Sequence, residues 1–425
     1  MASDGSVHRP LSNAANSGSL PRWSPDGKRI AWIAADGARG SQIFMHWLDA
    51  GTSGIISRLP ESPQNLAWSP DGRWLAFTMA VPAARKPFEI DLPKPPEGAA
   101  WAEPPKVVDR MVYRADGEGF LPDTFNHVFV IAATGGAARQ LTSGDFDHSG
   151  APAFSADSRS VLLSANRRAD ADLEPNDSEI FRIDVDAGDP IAVTDRRGPD
   201  TDPIVSPDGR YIAWLGFDDR YQGYQVTQLY LRELKSGATR SLTADLDRDV
   251  ENAQFAADSR SVWFQYDDRG HTRIVRQGLD GKRQEVADDL GGTDVTRPYS
   301  GGSFTVARNG RFAYTRRSMR APAELATGMA GSAIVQLTAL NANGTGSRDL
   351  PDIERLEFAS KADGLALQGW VLKPPNFDPA RKYPLILEIH GGPFTNYQGQ
   401  FAAETNLYAA HGYVVLFMNP RGSTS

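Results

Sequence analysis

One ten-residue pattern recurs along most of this chain and limits what the chain can fold into. Each copy joins an aromatic or other apolar residue to a Ser-Pro-Asp-Gly-like turn and then to an alternating apolar segment. The copies are WSPDGKRIAW from Trp23, WSPDGRWLAF from Trp68, FSADSRSVLL from Phe154, VSPDGRYIAW from Val205, FAADSRSVWF from Phe255 and the decayed VARNGRFAY from Val306. Their equivalent turn residues, Asp26, Asp71, Asp157, Asp208, Asp258 and Asn309, are 45, 86, 51, 50 and 51 residues apart.

The turn at the centre of each copy has a direct physical meaning. Ser-Pro-Asp-Gly matches a type I β-turn, because proline fixes φ at the second position and glycine tolerates the backbone that follows. The aromatic residue before the turn and the alternating apolar residues after it predict a β-hairpin in each copy. A repeat of 45 to 51 residues has room for four strands, which is the size of one propeller blade. The repeated aspartates are therefore expected to be structural.

The chain is thus predicted to be mainly β, with a β-propeller of six recognisable blades over residues 1–348. Residues 8–20, HRPLSNAANSGSL, resemble the closing strand of a preceding blade. We therefore expect seven blades in a longer parent protein, with the first blade incomplete here. An open ring exposes sheet edges, so the chain alone should be less stable than that parent.

The 86-residue step predicts an insertion at about residues 82–126. Seven prolines lie from Pro82 to Pro105, where regular strands are unfavourable. Beyond them, VVDRMVY (residues 107–113) and HVFVIA (residues 127–132) have the composition of strands. One blade with a long Pro-rich insertion is favoured over two ordinary blades, and such an insertion is expected to contact a substrate or a partner.

The composition excludes several kinds of site. The 425 residues carry a formal charge of −8 with acidic and basic residues interspersed, so no nucleic-acid surface is expected. The absence of cysteine excludes disulfides, thiolate metal sites and a cysteine nucleophile. Seven scattered histidines predict no metal site, and no cofactor is expected. The start, MASDGSVHRP, has no signal region and no apolar run reaches membrane-spanning length, so we expect no membrane partner and a cytoplasmic location, with the periplasm left open.

The pattern changes after the repeats, and residues 349–425 are predicted to begin a second domain. RLEFAS, LALQGWVLKP and YPLILEIHGG have the composition of three strands, the third expected to be buried. FAAETNLYAAHG predicts a helix that ends at Gly412, and YVVLFMNPRG predicts another buried strand. This order is typical of the opening of a mixed α/β sheet.

The stretch LILEIHGGPFTN, from Leu385 to Asn396, is the candidate site. A strand runs here into a loop with two glycines, and such loops place backbone N–H groups around negative charge that develops on a substrate oxygen. A tight turn that needs glycine for its shape alone is the alternative. His390 stands at the start of this loop.

With these motifs the chain resembles the prolyl oligopeptidase family of serine peptidases, in which a propeller is joined to an α/β-hydrolase domain. HGGP followed by NPRGST, together with YRADGEGF in the insertion, is most similar to the acylaminoacyl-peptidase branch. The resemblance implies that a backbone N–H of Gly391 or Gly392, chiefly Gly392, helps to form the oxyanion hole. It implies a loop-positioning role for His390, because hydrolases of this kind place the catalytic histidine last, after the nucleophile. It also places Arg421 near the active-site region, where an ion pair and a contact with substrate both remain open.

The chain departs from the family in one respect. The family's nucleophile lies in a Gly-x-Ser-x-Gly elbow, and no such pentapeptide occurs here; Ser423, in RGSTS, comes nearest. We therefore expect a fragment of the catalytic domain, with the Ser, Asp and His of the triad beyond Ser425 and no activity in the chain as it stands.

Three functions remain open from the sequence alone. A serine peptidase acting on short peptides fits both the loop and the propeller. A non-catalytic propeller that binds a protein or peptide would have no use for the HGGP loop, and an esterase would have none for the propeller. The absence of a Glu-Glu dipeptide lowers the dipeptidyl option, because those peptidases anchor the substrate amine with paired glutamates. The cleaved bond and the oligomeric state stay open, a homo-oligomer included.

Overall fold

The computed structural model describes residues 4–6, 10–11, 18–83, 93–102, 106–108, 110–186, 188–392 and 394–425. They divide into two units, Leu11–Val205 and Met1–Pro10 with Ser206–Ser425. The strand expected in residues 8–20 lies largely outside the described residues. No helix in the described part of the chain is both long and apolar enough to cross a membrane.

In the unit Leu11–Val205, the regular elements of the described residues are strands and one short 3₁₀ helix, Gly37–Arg39. Its strands are β1 Gly18–Trp23, β2 Arg29–Ala35, β3 Ser41–Trp47, β4 Thr52–Ile55, β5 Gln64–Trp68, β6 Trp74–Pro82, β7 Arg114–Ala115, β8 Gly119–Phe120, β9 Thr124–Ala132, β10 Arg139–Gln140, β11 His148–Phe154, β12 Ser160–Ala165, β13 Glu179–Asp184, β14 Ile191–Ala192 and β15 Asp200–Val205. Three antiparallel sheets have the orders β1-β2-β3-β4, β10-β9-β6-β5 and β11-β12-β13-β14, and β7 pairs with β8.

The repeated turns form hairpins, as their sequence predicts. In the first copy the N–H of Gly27 donates to the Ser24 carbonyl at 2.9 Å, which closes a β-turn between β1 and β2. The Asp26 carboxylate accepts from the Ser24 hydroxyl at 2.5 Å and from the Lys28 N–H at 3.1 Å. The residue after the aspartate has positive φ in the copies at Gly27, Gly72, Ser158, Gly209 and Ser259. The aspartates therefore stabilise turns.

The Pro-rich insertion lies between two paired strands of one sheet. β6 and β9 pair from Trp74 opposite Ala132 to Pro82 opposite Thr124, and the described residues between them form no strand of that sheet. The strand predicted for residues 107–113 is wrong, because the described part of this segment is irregular and Val107 and Met111 are more than half exposed. Both β6 and β9 already have neighbours on their two sides, so no ladder position remains there for this segment.

The unit that contains Ser206–Ser425 continues the antiparallel pattern and then changes it. Its elements are β16 Tyr211–Gly216, β17 Gln228–Glu233, β18 Thr239–Ser241, β19 Glu251–Phe255, β20 Ser261–Asp268, β21 His271–Gly278, β22 Arg283–Leu290, β23 Phe304–Val306, β24 Arg311–Arg316, β25 Glu324–Met329, β26 Val335–Gln336, α1 Ala342–Thr345, β27 Asp352–Ala359, β28 Ala366–Lys373, β29 Leu385–Glu388, α2 Ala403–Ala410 and β30 Val414–Asn419. Strands β19, β20, β21 and β22 pair antiparallel in that order, and so do strands β23, β24, β25 and β26.

The C-terminal sheet has the mixed order that the sequence predicts. Its strands lie in the order β27-β28-β30-β29, and β29 runs parallel to β30 with α2 between them in the chain. Gly412 follows α2 with φ 87°, as expected of a residue at a helix C-terminus. Trp370, Leu372, Val415 and Phe417 form the buried core of this sheet.

The prediction that the LILEI strand is buried is wrong. Leu385, Leu387 and Ile389 are 61%, 49% and 64% exposed, because β29 lies at the edge of the sheet. The apolar composition of a strand indicates which faces could be covered, and its position in the sheet decides which of them are.

Candidate active site

The candidate loop leaves the C-terminal end of β29 and leads towards α2. It begins with His390, Gly391 and Gly392. Gly392 has φ 123°, a region that L side chains rarely adopt, and a Cβ atom there would lie 2.7 Å from the backbone nitrogen of Phe394. The loop therefore requires glycine at position 392. Gly391 has open space around its Cα and no such requirement.

The two glycine N–H groups differ in their partners. The N–H of Gly391 donates to the hydroxyl of Tyr299 over a long distance of 3.4 Å. For the N–H of Gly392 there is no acceptor among the residues that the structure describes. A backbone donor without a partner, in the loop that follows a strand, is the kind of group that binds a developing oxyanion.

His390 holds the peptide group that carries the Gly392 N–H. The ring is 8% exposed, and its Nδ1 donates to the carbonyl oxygen of Gly391 at 2.9 Å. In a planar trans peptide the C=O of Gly391 and the N–H of Gly392 point in opposite directions. The histidine thus fixes the direction of the Gly392 N–H without contacting it.

The other side of the His390 ring contacts the segment after β30. Nε2 lies 2.9 Å from the Ser423 hydroxyl oxygen, and the same hydroxyl lies 2.8 Å from the carbonyl oxygen of Pro420. The ring also packs edge-on against Tyr397, with 5.0 Å between centroids. His390 and Ser423 join the two loops that follow the parallel strands β29 and β30.

Arg421 lies in the same segment but forms a surface contact. Its guanidinium pairs with the carboxylate of Asp363, with both side chains about half exposed. Asp363 lies in the turn between β27 and β28. Of the two roles that the sequence leaves open for Arg421, an ion pair or a contact with substrate, this contact is the ion pair.

Several residues that the sequence does not single out surround the loop. Asn396 is 1% exposed, and its side-chain nitrogen lies 2.7 Å from Asp267, 3.1 Å from Ser300 and 3.1 Å from Thr424. These partners lie 28 to 129 residues away in the chain. No local sequence signal could have identified them.

An aromatic pair lies beside Gly392. The rings of Phe394 and Tyr224 stack at 5.1 Å between centroids, and both remain partly exposed. The Tyr224 hydroxyl donates to the Asp249 carboxylate, which also accepts the N–H of Thr227 at 2.7 Å. Burial, and then the Asp249 carboxylate, raise the pKa of the Tyr224 phenol, so it stays a donor.

Tyr397 continues the polar network below the loop. Its hydroxyl donates to Glu388 at 3.2 Å, and Arg297 lies 3.6 Å from Glu388 and 3.0 Å from Glu404. Burial, together with the nearby Glu388 carboxylate, raises the pKa of Tyr397. No group of three metal-ligating side chains is placed to hold an ion within the described ranges.

Comparison with known proteins shows what the chain is similar to. A profile of the dipeptidyl peptidase IV N-terminal region matches residues 100–226. The uncharacterized peptidase YuxL of Bacillus subtilis is 27% identical over 95% of this chain, and dipeptidyl-peptidase 5 of Porphyromonas gingivalis is 24% identical over 99%. The acylaminoacyl peptidase of Pyrococcus horikoshii has a similar structure, with a TM-score of 0.74 over 96% of this chain at 22% identity.

The chain is a relative of the prolyl oligopeptidase-family peptidases. The predicted resemblance and the predicted fold class, a mainly β propeller followed by the opening strands of an α/β-hydrolase domain, are confirmed. The chain spans 61% of the length of both the Bacillus and the Porphyromonas relative and 58% of the Pyrococcus structure.

Proposed function

We propose that the 425 residues of this chain form the propeller and part of the oxyanion hole of a serine peptidase. That peptidase hydrolyses short peptides by acyl transfer. The observation that carries the proposal is the Gly392 N–H. It has no acceptor in the described part of the chain, belongs to a residue that must be glycine, and is aimed by His390 through the Gly391 carbonyl. In this proposal residues 1–348 are the propeller and residues 349–425 begin the catalytic domain.

The reaction assigns a role to each residue of the loop. When a serine attacks the scissile carbonyl, negative charge develops on the carbonyl oxygen, and the Gly392 N–H donates to it. Gly391 supplies conformation rather than a donor, since its N–H already faces Tyr299. His390 is a positioning residue, because its Nδ1 proton is used by the Gly391 carbonyl. Arg421 holds the segment after β30 to the β27–β28 turn.

Ser423 and His390 form a Ser–His contact, which raises the question of whether Ser423 is the nucleophile. In a triad the histidine Nδ1 donates to a carboxylate that stabilises the imidazolium. Here it donates to a neutral carbonyl of its own loop, and the serine hydroxyl also faces the Pro420 carbonyl. We therefore propose that Ser423 is structural and that the catalytic Ser, Asp and His are not among these 425 residues.

The bond that is cleaved separates two candidates. The first candidate is acylaminoacyl-peptidase activity, which is supported by the HGGP and NPRGST motifs and by the structural similarity to the Pyrococcus enzyme. Release of dipeptides is the second candidate, favoured by the relatives that are named dipeptidyl-peptidase 5. The two differ in whether the substrate amine is blocked or free.

The proposal is tested with a polypeptide that carries these residues together with a Gly-x-Ser-x-Gly serine and its triad partners. It is assayed with acetyl-Ala-p-nitroanilide, with Gly-Phe-p-nitroanilide and with p-nitrophenyl acetate. Hydrolysis of either anilide that stops when the elbow serine is replaced by alanine supports a peptidase. Hydrolysis of the ester alone supports an esterase and contradicts the proposal, as does binding of peptides without turnover.

A further inference from the structure

The segment Gly291–Gly302, which connects β22 to β23, runs along the chain that follows the candidate loop. We call it the strap. The N–H of Ser300 donates to the Asn396 carbonyl at 3.1 Å, and the N–H of Gln398 donates to the Pro298 carbonyl at 2.8 Å. Tyr299 and Tyr397 are directly opposite each other in this short antiparallel bridge. The strap therefore pairs, backbone to backbone, with residues 396–398.

The strap also supplies hydrogen-bond acceptors to the N–H groups at the start of helix α2. Ala402, at the N-cap, makes no side-chain hydrogen bond to the first turn. The free N–H groups of Ala403 and Glu404 donate instead to the carbonyls of Val295 and Thr296, at 2.8 and 3.1 Å. The loop from Gly392 to α2 is thus held at its far end by the same segment.

The side-chain amide of Gln400 adds a third attachment. It is 4% exposed, its Nε2 donates to the Tyr299 carbonyl at 2.8 Å, and its Oε1 accepts the N–H of Gly292 at 2.7 Å. Both ends of one buried amide are therefore occupied by backbone groups of the strap. Such a fully satisfied buried group stabilises one arrangement of the two segments.

Tyr299 connects the strap to the candidate loop, the proposed oxyanion loop that begins at His390. Its ring packs against Tyr397 at 5.0 Å between centroids, and its hydroxyl accepts the Gly391 N–H at 3.4 Å. His390 holds the peptide group on the C-terminal side of Gly391, and Tyr299 holds the group on the N-terminal side. The two residues together restrict the rotation of Gly391, which sets where the Gly392 N–H points.

We propose that the strap positions the oxyanion loop and that Tyr299 is the positioning residue through which it acts. The inference rests on the proposed function, because positioning matters to catalysis only if the Gly392 N–H is an oxyanion donor. A residue of the propeller sequence would then set kcat without contacting substrate.

The test compares Tyr299→Phe with Tyr314→Phe as its matched control. Both variants remove one tyrosine hydroxyl, and the Tyr314 hydroxyl bonds Asp289 at 2.7 Å with no contact to the loop. Amide hydrogen exchange is measured at Gly391 in the 425-residue chain. We expect Y299F to raise the exchange rate roughly three- to tenfold, as the loss of one hydrogen bond requires, and Y314F to leave it unchanged.

A second measurement uses the polypeptide that carries the triad. Y299F should lower kcat with little change in KM, because the interaction affects the transition state and not substrate binding. Equal effects of Y299F and Y314F on Gly391 exchange, or a Y299F effect confined to KM, would overturn the proposal. If the unmutated polypeptide hydrolyses no peptide, the proposed function fails, and the exchange result still decides whether Tyr299 holds the loop.

Discussion

The Ser158 hydroxyl accepts the backbone N–H of Asp71 at 3.1 Å, although the two residues are 87 positions apart. The same relationship joins Ser259 to Asp208 at 3.0 Å. Both serines have positive φ, at the turn position where other copies of the repeat have glycine. A serine backbone is strained at positive φ, but here each serine hydroxyl forms a hydrogen bond with the turn of another copy of the repeat.

This relationship predicts different effects on stability for two substitutions at Ser158. Ser158→Ala removes the hydrogen bond and keeps the strain, so we expect a loss of about 1 kcal/mol in the free energy of unfolding. Ser158→Gly removes the bond but also relieves positive φ, so the two effects should nearly cancel. Urea unfolding measures both, and a glycine variant less stable than the alanine variant would contradict the interpretation.

Gly392→Ala should damage catalysis where Gly391→Ala does not. A Cβ atom at position 392 meets the Phe394 nitrogen at 2.7 Å and requires a forbidden φ, whereas position 391 is open. We expect kcat of the triad-bearing polypeptide to fall on the order of 100-fold for G392A, the usual effect of losing one oxyanion donor. A near-normal kcat for G392A would mean that the loop is only a turn.

The 425-residue chain should not react with a fluorophosphonate probe, which labels activated serines. Ser423 lies beside His390 but has no elbow context, and its hydroxyl is shared between two acceptors. Labelling is measured by intact mass, with Ser423→Ala as the control for background. Stoichiometric labelling that S423A abolishes would make Ser423 a nucleophile and overturn its structural assignment.

Acid should destabilise the unit Leu11–Val205 through His148. Burial lowers the pKa of His148 to about 4. The ring lies 3.3 Å from the Arg167 guanidinium and has its centroid 5.2 Å from that of His127, with the two rings tilted. The unfolded chain therefore binds a proton first as pH falls, and the free energy of unfolding decreases from about pH 6.5 towards pH 4. The full loss is roughly 3 kcal/mol. His148→Asn should flatten the pH dependence of unfolding in this window, and an unchanged slope would contradict this.

The exposed edge of β29 should promote association. Leu387 is 49% exposed and Ile386 points to the other face of the same strand. Leu387→Lys should reduce light scattering on heating without lowering the free energy of unfolding by more than about 0.5 kcal/mol. Ile386→Lys should lower stability instead, because it places a charge on the more buried face. Equal scattering for L387K and the parent chain would exclude this edge as the site of association.

The features that the sequence predicts are those carried by local patterns. The hairpins at the repeated turns, the order of β29, α2 and β30, and the Gly412 helix end all depend on residues near one another in the chain. The contacts at Asn396, Tyr299 and Ser158 connect residues dozens of positions apart, and no spacing rule identifies them. The strand predicted at residues 107–113 failed for a related reason: a strand needs a free partner, which only the assembled sheet reveals.

The attachment of α2 to the carbonyls of Val295 and Thr296 has a consequence for the order of folding. An isolated helix of eight residues is not stable in water, and this one lacks a capping side chain of its own. Its first turn can form only after a segment made more than 100 residues earlier has reached its place. During synthesis that segment leaves the ribosome first. Helix α2 therefore meets a template that is already built when it leaves the ribosome.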